Sequence, residues 1–205
     1  MLHKQTVSHT LLTILQSLMQ EKMLNDFVLV GGTSLALRYG HRDSEDIDLF
    51  TSNDLPPNLW QHLQRNPNRQ LQYSGEYTLA FTESDIKIDL AKWNIQFKNV
   101  ETIEGIRIAN PIDVFAMKLD AICTRKTKKD FIDIFELCQH YSFHEGFSHF
   151  NSVYPYSKNS TIIFTAFGEI DLADKSKMPN MYKNYEWDFV KNKLKKYAKK
   201  YFLNL

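Results

Sequence analysis

The 205-residue chain sets 25 Lys and Arg against 24 Asp and Glu, a net charge of +1, so bulk charge alone selects no class of partner. Its 43% hydrophobic and 13% aromatic content suffices for a core, and only 7 Gly and 6 Pro argue against a low-complexity or disordered chain. No apolar run reaches the roughly 18 residues that cross a bilayer, so no membrane partner is expected. The length suits one compact domain, or one domain with a helical appendage. The N-terminal stretch is polar throughout its apolar pattern and has no small-residue cleavage site, so it does not read as a signal peptide. Cys123 and Cys138 fall in helical patterns without metal-ligand spacing and are expected to be buried, reduced thiols. These features point to the cytoplasm.

Taken in order, Leu11, Leu12, Leu15, Leu18 and Met19 recur at helical spacing and predict an amphipathic helix over 7–22. Asn25-Asp26 punctuates, and Phe27–Val30 reads as the first strand. Gly31-Gly32 opens a helix over 33–39, with Gly40 as its C-cap. Ile47–Phe50 is the second strand. In an extended strand, side chains at i and i+2 share a face. Asp46 and Asp48 therefore stand together on one side while Ile47 and Leu49 enter the core. Two adjacent carboxylates repel unless a cation lies between them. Hard oxygen ligands on a strand suit Mg²⁺ (or Mn²⁺), which takes one or two carboxylates plus substrate phosphates. The glycine pair supplies close backbone approach and free N–H groups at a helix start. Apolar strand, Gly-Gly, then D-x-D in a second apolar strand favours a metal-dependent nucleotide site. The plainer alternative is a solvated D-x-D at a turn or strand edge.

A helix is expected over 59–65, broken by Asn66-Pro67-Asn68. Tyr77–Thr82 and Ile86–Ala91 form a hairpin about Glu83-Ser84-Asp85. If the second of these strands lies beside the D-x-D strand, Asp89 adds a third carboxylate to the same face; otherwise Lys87 and Asp89 form the wet side of an edge strand. Ile106–Ile108 is a short strand. Asn110-Pro111 starts a long helical block, broken near 124–128. There Lys118, Ile122 and Arg125 share a face, so two cations can point at one anionic target, although a lysine among apolar neighbours more commonly snorkels outward. Helices are expected over 147–153, 160–167 and 182–202, with a polar loop at 171–179. The seven histidines lack metal spacing and read as surface or capping residues. Lys191, Lys193, Lys195, Lys196, Lys199 and Lys200 crowd the C-terminal end. They read either as a nucleic-acid contact or as the solvated face of a helix packed through Phe189, Leu194, Tyr197 and Tyr201.

Val30-Gly31-Gly32 followed by Asp46-Ile47-Asp48 resembles the first motif of the polymerase-β-like nucleotidyltransferases. The fuller string GGTSLALRYGHRDSEDIDLFT is similar, more narrowly, to the AbiEii/AbiGii toxin-type nucleotidyltransferases, and the likeness continues through Lys118 to Leu137. The fold implied is α/β (α+β in some schemes): a small mixed sheet with flanking helices over 1–109, then a helical C-terminal region over 110–205. The resemblance implies a third acid at Asp89, a phosphate lysine at Lys118 with Arg125 near it, and a late aspartate that is either Asp130 or Asp133. Asp130 alternatively serves only as an N-cap or first-turn residue.

The activity implied is transfer of a nucleoside monophosphate from an NTP. Asp46 and Asp48 would hold the metal, and Asp89 would help bind a second metal or take the acceptor's proton. Gly31, Gly32, Ser34 and Ser44 would cradle phosphates, with a turn role as the alternative for Ser44. The partners implied are an RNA acceptor, a tRNA 3′ end being the family's suggestion, and a cognate antitoxin of a toxin–antitoxin or abortive-infection system. Transfer to a protein or small molecule, and non-catalytic binding on the same scaffold, are the alternatives.

Overall fold

The computed structural model describes residues 1–94, 96–154 and 160–202. The chain divides into two compact units, Met1–Asn110 and Pro111–Leu205.

The first unit is built on a seven-stranded sheet. Its strands are β1 (Val28–Leu29), β2 (Asp46–Thr51), β3 (Arg69–Ser74), β4 (Thr78–Glu83), β5 (Ile86–Lys92), β6 (Glu101–Ile103) and β7 (Ile106–Ile108), in the order β3-β4-β5-β2-β1-β7-β6. The sheet is mixed: β2 runs parallel to β5 and β1 parallel to β7, while β1–β2, β3–β4, β4–β5 and β6–β7 are antiparallel. Period-two alternation sets the faces. In β2, Ile47, Leu49 and Thr51 are buried, and Asp46, Asp48 and Phe50 lie on the other side, half-buried. Helix α1 (His9–Gln20) is N-capped by Ser8, whose Oγ accepts from the Leu11 amide at 3.0 Å. Leu11, Leu15 and Leu18 of α1 share one apolar core with Ile47, Leu49, Ile88 and Leu90 of the sheet. Arg107 fastens the chain between α1 and β1, donating to the carbonyls of Met19, Leu24 and Phe27 at 2.8–3.0 Å.

The first helix is shorter than the expected 7–22 because Ser8 caps its start and the 3₁₀ turn Lys22–Leu24 follows its end. Helix α2 (Gly31–Tyr39) begins at the first glycine, two residues earlier than expected, and Gly40 caps it in the left-handed conformation. Helix α3 covers Leu59–Leu63. The β4–β5 turn holds Ser84 and Asp85 at φ 51° and 65°, the two positive angles a tight hairpin needs. β3 and β6 are strands that the sequence pattern does not announce: both lie at sheet edges, where one exposed side relaxes the demand for apolar residues, and Gln70–Ser74 is exposed throughout. β5 sits between β4 and β2, so the edge-strand reading of Lys87 and Asp89 is overturned.

The second unit is helical: α4 (Pro111–Thr124), α5 (Lys128–Leu137), α6 (Phe143–Val153), α7 (Ser160–Gly168) and α8 (Trp187–Phe202). Proline opens α4, where its missing N–H costs nothing. A capping box between Ser142 and Glu145 starts α6 four residues before the expected Phe147. The expected 171–179 loop is in its first half the 3₁₀ helix Ile170–Lys175, and α8 begins at Trp187 rather than Tyr182. Val190, Leu194 and Ala198 form the buried stripe of α8, and Phe189, expected to pack inward, is half exposed. Both cysteines are half-buried thiols outside any disulfide, Cys123 donating to the Leu119 carbonyl at 3.3 Å, and burial pushes the Cys138 thiol up to about 12. His41 is fully buried, against the surface reading given to every histidine.

Candidate active site

The backbone at Gly31-Gly32 is shaped by what lies against it. Gly31 has φ +68°, which only glycine adopts cheaply, and a Cβ there would fall 2.1 Å from Asp48 Oδ2. The Asp48 carboxylate thus occupies the space a side chain at Gly31 would need. The Val30 amide donates to the Asp48 carbonyl at 2.9 Å and holds the two segments together. A Cβ on Gly32 would meet the guanidinium of the buried Arg42 at 2.3 Å and Ser44 Oγ at 3.4 Å. Gly31 is therefore favoured both by its backbone angle and by the close approach of a carboxylate, and Gly32 lies against the end of a buried cation.

The start of α2 has no side-chain cap, since Val30 offers no acceptor. Its first-turn amides are the kind that take an anion. Thr33, buried and not singled out by the sequence, hydrogen-bonds with Ser44 Oγ at 2.8 Å and donates to the Asp46 carbonyl, tying the first turn of α2 to β2. Ser34 turns its hydroxyl back to Gly31 O at 2.8 Å. Ser44 and Ser34 thus both make bonds within the protein.

On the sheet, Asp48 of β2 pairs in register with Asp89 of β5, and Asp46 with Lys87. Parallel neighbours in register share a face, so Asp46, Asp48, Lys87 and Asp89 lie on the same side of adjacent central strands. Lys87 Nζ donates to Asp89 Oδ2 at 2.6 Å. That hydrogen bond, with the further pull of the Asp89, Asp46 and Asp48 charges, raises the Lys87 ammonium above its ordinary range, against a smaller effect of burial. Lys87 is the member of this charge cluster that sequence reading undervalued, and its signal was its place two residues before Asp89. Among the described residues no three His, Cys, Asp or Glu side chains are gathered closely enough to hold a metal ion as they stand. The donor set nevertheless fits a hard divalent cation, because such ions are held by one or two carboxylates and completed by substrate phosphates.

The helical unit carries a second charge cluster. Lys118, on α4, is 4% exposed and places Nζ 2.9 Å from Asp130 Oδ1 and 2.7 Å from Asp133 Oδ2; both aspartates are fully buried on α5. Arg125 Nε reaches Asp130 Oδ2 at 3.1 Å, and the Thr127 hydroxyl donates to the same oxygen at 2.7 Å. The shared anionic target of Lys118 and Arg125 includes Asp130 of this chain, and Lys118 does not snorkel outward. Asp130 lies in the first turn of α5, behind the N-cap Thr127. Burial opposes its ionisation, but the charges of Lys118 and Arg125 and the bonds from Thr127 and Lys118 outweigh it and hold the carboxyl below its usual range.

Residues 13–68 match the family described as Nucleotidyl transferase AbiEii toxin, Type IV TA system. An uncharacterized protein of Aquifex aeolicus is 36% identical over 119 residues, which are 55% of this chain and 58% of the relative. The match thus spans little more than half the length of that relative. Among solved structures, a Helicobacter pylori protein assigned as a nucleotidyltransferase aligns with a TM-score of 0.58 at 19% identity, covering 95% of this chain and 92% of its own. JHP933 from Helicobacter pylori aligns at 0.55 and 21%, covering 97% and 94%. The antibiotic-resistance factor ANT(2'')-Ia aligns at 0.52 and 15%, covering 70% and 89%. No described helix is long and apolar enough to cross a membrane. Residues 13–68 of this chain are thus similar to the AbiEii nucleotidyl transferase toxin family, and the chain has the α/β fold of the solved nucleotidyltransferases it aligns with.

Proposed function

We propose that this chain transfers a nucleoside monophosphate from an NTP to an acceptor hydroxyl, with a divalent cation, Mg²⁺ or Mn²⁺, held by Asp46 and Asp48. The observation that carries the reading is the contact between Asp48 and Gly31, which joins a carboxylate face to an uncapped helix start. The bound cation would supply charge neutralisation at the phosphates. The first-turn amides of α2 at Gly31 and Gly32 bind and orient the triphosphate, and their fixed direction costs no rearrangement during reaction. Asp89 accepts the proton of the acceptor hydroxyl as its oxygen bonds to the α-phosphorus and pyrophosphate leaves, or else adds a ligand to the metal. Lys87 steadies the carboxylates before substrate enters.

In the helical unit, Lys118, Asp130 and Asp133 are proposed to form the buried network that positions Arg125, whose side chain is 59% exposed and is offered to an anion such as a phosphate. Ser34 and Ser44 brace the α2 turn. The similarity of residues 13–68 to a toxin family of nucleotidyl transferases supports an RNA acceptor, a tRNA 3′ end among the candidates, a cognate antitoxin and a cytoplasmic setting. A small-molecule acceptor is the second reading, because ANT(2'')-Ia, of the same fold, is known in complex with adenylyl-2''-tobramycin.

Incubation with labelled NTPs, Mg²⁺ and total RNA separates these. Label in RNA that disappears with Asp48→Ala supports the proposal, label in a protein or small molecule supports the rival acceptors, and nucleotide binding without turnover denies transfer.

A further inference from the structure

The lysines of α8 are not equivalent. Lys191 is tied to Asp171, Asp174 and Asp188, and Lys195 to Asp171, at 2.7–3.4 Å. These two are structural: they bind α8 to the preceding 3₁₀ helix. Lys193, Lys196, Tyr197, Lys200 and Tyr201 recur at intervals of three and four, so they form one stripe along the helix. Lys193 lies 5.4 Å from the ring centre of the half-exposed Phe189.

The stripe ends in a cavity of about 590 Å³, within the size range of small-ligand pockets (about 300–1,000 Å³). Tyr197, Lys200 and Tyr201 line it from α8; Ser142, Phe143 and His144 line it from the start of α6. Its surface is mostly apolar, and no acid is among its described lining residues. Tyr201 is a fixed wall, packed against Phe147 at 4.9 Å, Phe143 at 5.6 Å and His144 at 5.6 Å between ring centres. The thiol of Cys138, also lining the cavity, stays protonated near neutral pH because burial pushes it up to about 12, so nucleophilic chemistry is not what the cavity offers.

We propose that this stripe and cavity bind single-stranded nucleic acid, with one base entering between the aromatic walls and the adjoining phosphates following Lys200, Lys196 and Lys193. Base–aromatic stacking beside a basic track is the way proteins hold single strands with little sequence preference. A duplex keeps its base faces stacked and has nothing to put in the recess. A membrane surface would favour protruding rings, whereas Tyr197 and Tyr201 are half-buried. The site uses none of the residues assigned to nucleotidyl transfer, so it stands or falls independently of that reading.

The test is equilibrium binding of the full chain to fluorescently labelled oligouridylate, oligodeoxythymidylate, an abasic oligomer and a duplex, without NTP or metal. The proposal expects binding to the two single strands and weaker binding to the abasic oligomer and the duplex. Tyr197→Leu should weaken single-strand binding about tenfold. Lys196→Gln with Lys200→Gln should lower the log–log salt slope by about 1.4, from about 0.7 per lost single-strand phosphate contact. Preference for uridylate over deoxythymidylate assigns the site to RNA, and equal affinity to single strands in general. Absence of binding, equal affinity for the abasic oligomer or duplex, unaltered binding by variants with parental circular dichroism, or capture by phosphatidylserine vesicles alone would overturn it.

Discussion

The two charge clusters of this protein are built from the same residue types and solve opposite problems. On the sheet, three aspartates face one lysine, and all four side chains keep contact with solvent. In the helical unit, Lys118, Asp130 and Asp133 are withdrawn from water and satisfied at hydrogen-bond distance. A rigid strand face that leaves excess negative charge in reach of solvent is prepared to receive something positive. A buried network with every charge paired is prepared to stay as it is. On the proposed function, the first cluster takes part in the chemistry, and the second sets the helices and holds Arg125 at its rim.

Substitutions in the two clusters should therefore fail differently. Asp48→Ala is expected to have the largest effect on activity, a loss of about a thousandfold or more in kcat/KM for NTP transfer if charge stabilisation at the phosphates is removed. Its melting temperature should match or exceed the parent's, because a mutual repulsion has gone. Lys118→Met should do the reverse in stability terms. It leaves two buried carboxylates without their shared cation and should cost about 3–5 kcal/mol in urea unfolding. Equal destabilisation by both substitutions would dissolve the distinction drawn here.

Acid sharpens the same comparison. Asp130 titrates below its unfolded value because cations and a hydroxyl hold it. Its contribution to stability is complete above the unfolded pKa, about 4, and is lost as pH falls through the lower, folded one. The stability difference between parent and Asp130→Asn should stay constant from neutral pH down to about 4 and shrink below it. Thermal melts across that range check it, and a difference that shrinks already at pH 6 would contradict it. The smallest expected effect belongs to Lys87→Met. Removing the ammonium that competes for Asp89 should tighten Mn²⁺ binding roughly two- to fivefold, the scale of an exposed ion pair (about 0.2–1 kcal/mol). Spin-resonance titration measures it, and weaker Mn²⁺ binding would mean that Lys87 orders the ligands rather than opposing the metal.

The sheet face was legible because a strand's period of two fixes which residues keep company. Once β5 was recognised as apolar and alternating, only its register with β2 was missing, and Asp48 opposite Asp89 supplied it. The reason for Gly31 was not legible: φ and the nearness of Asp48 are properties of the folded backbone. Arg69–Ser74 and Glu101–Ile103 escaped because edge strands carry polar residues on exposed positions. His41 reads as a surface or capping residue by type, and both it and its neighbour Arg42 are buried through tertiary contacts that no local pattern announces. Lys118 was singled out for its apolar neighbours, yet its immediate partners lie twelve and fifteen residues along the chain. Helical periodicity placed it on a face and could not say what that face met.

The account depends on Asp46 and Asp48 sharing one hard cation beside the glycine turn. Crystals grown with Mn²⁺ and a non-hydrolysable NTP, measured for anomalous scattering, test that claim most directly. The account predicts a manganese peak bonded to both carboxylates, with the triphosphate reaching the α2 amides. A well-ordered nucleotide with no peak at those two aspartates, or with its phosphates bound elsewhere, would contradict it.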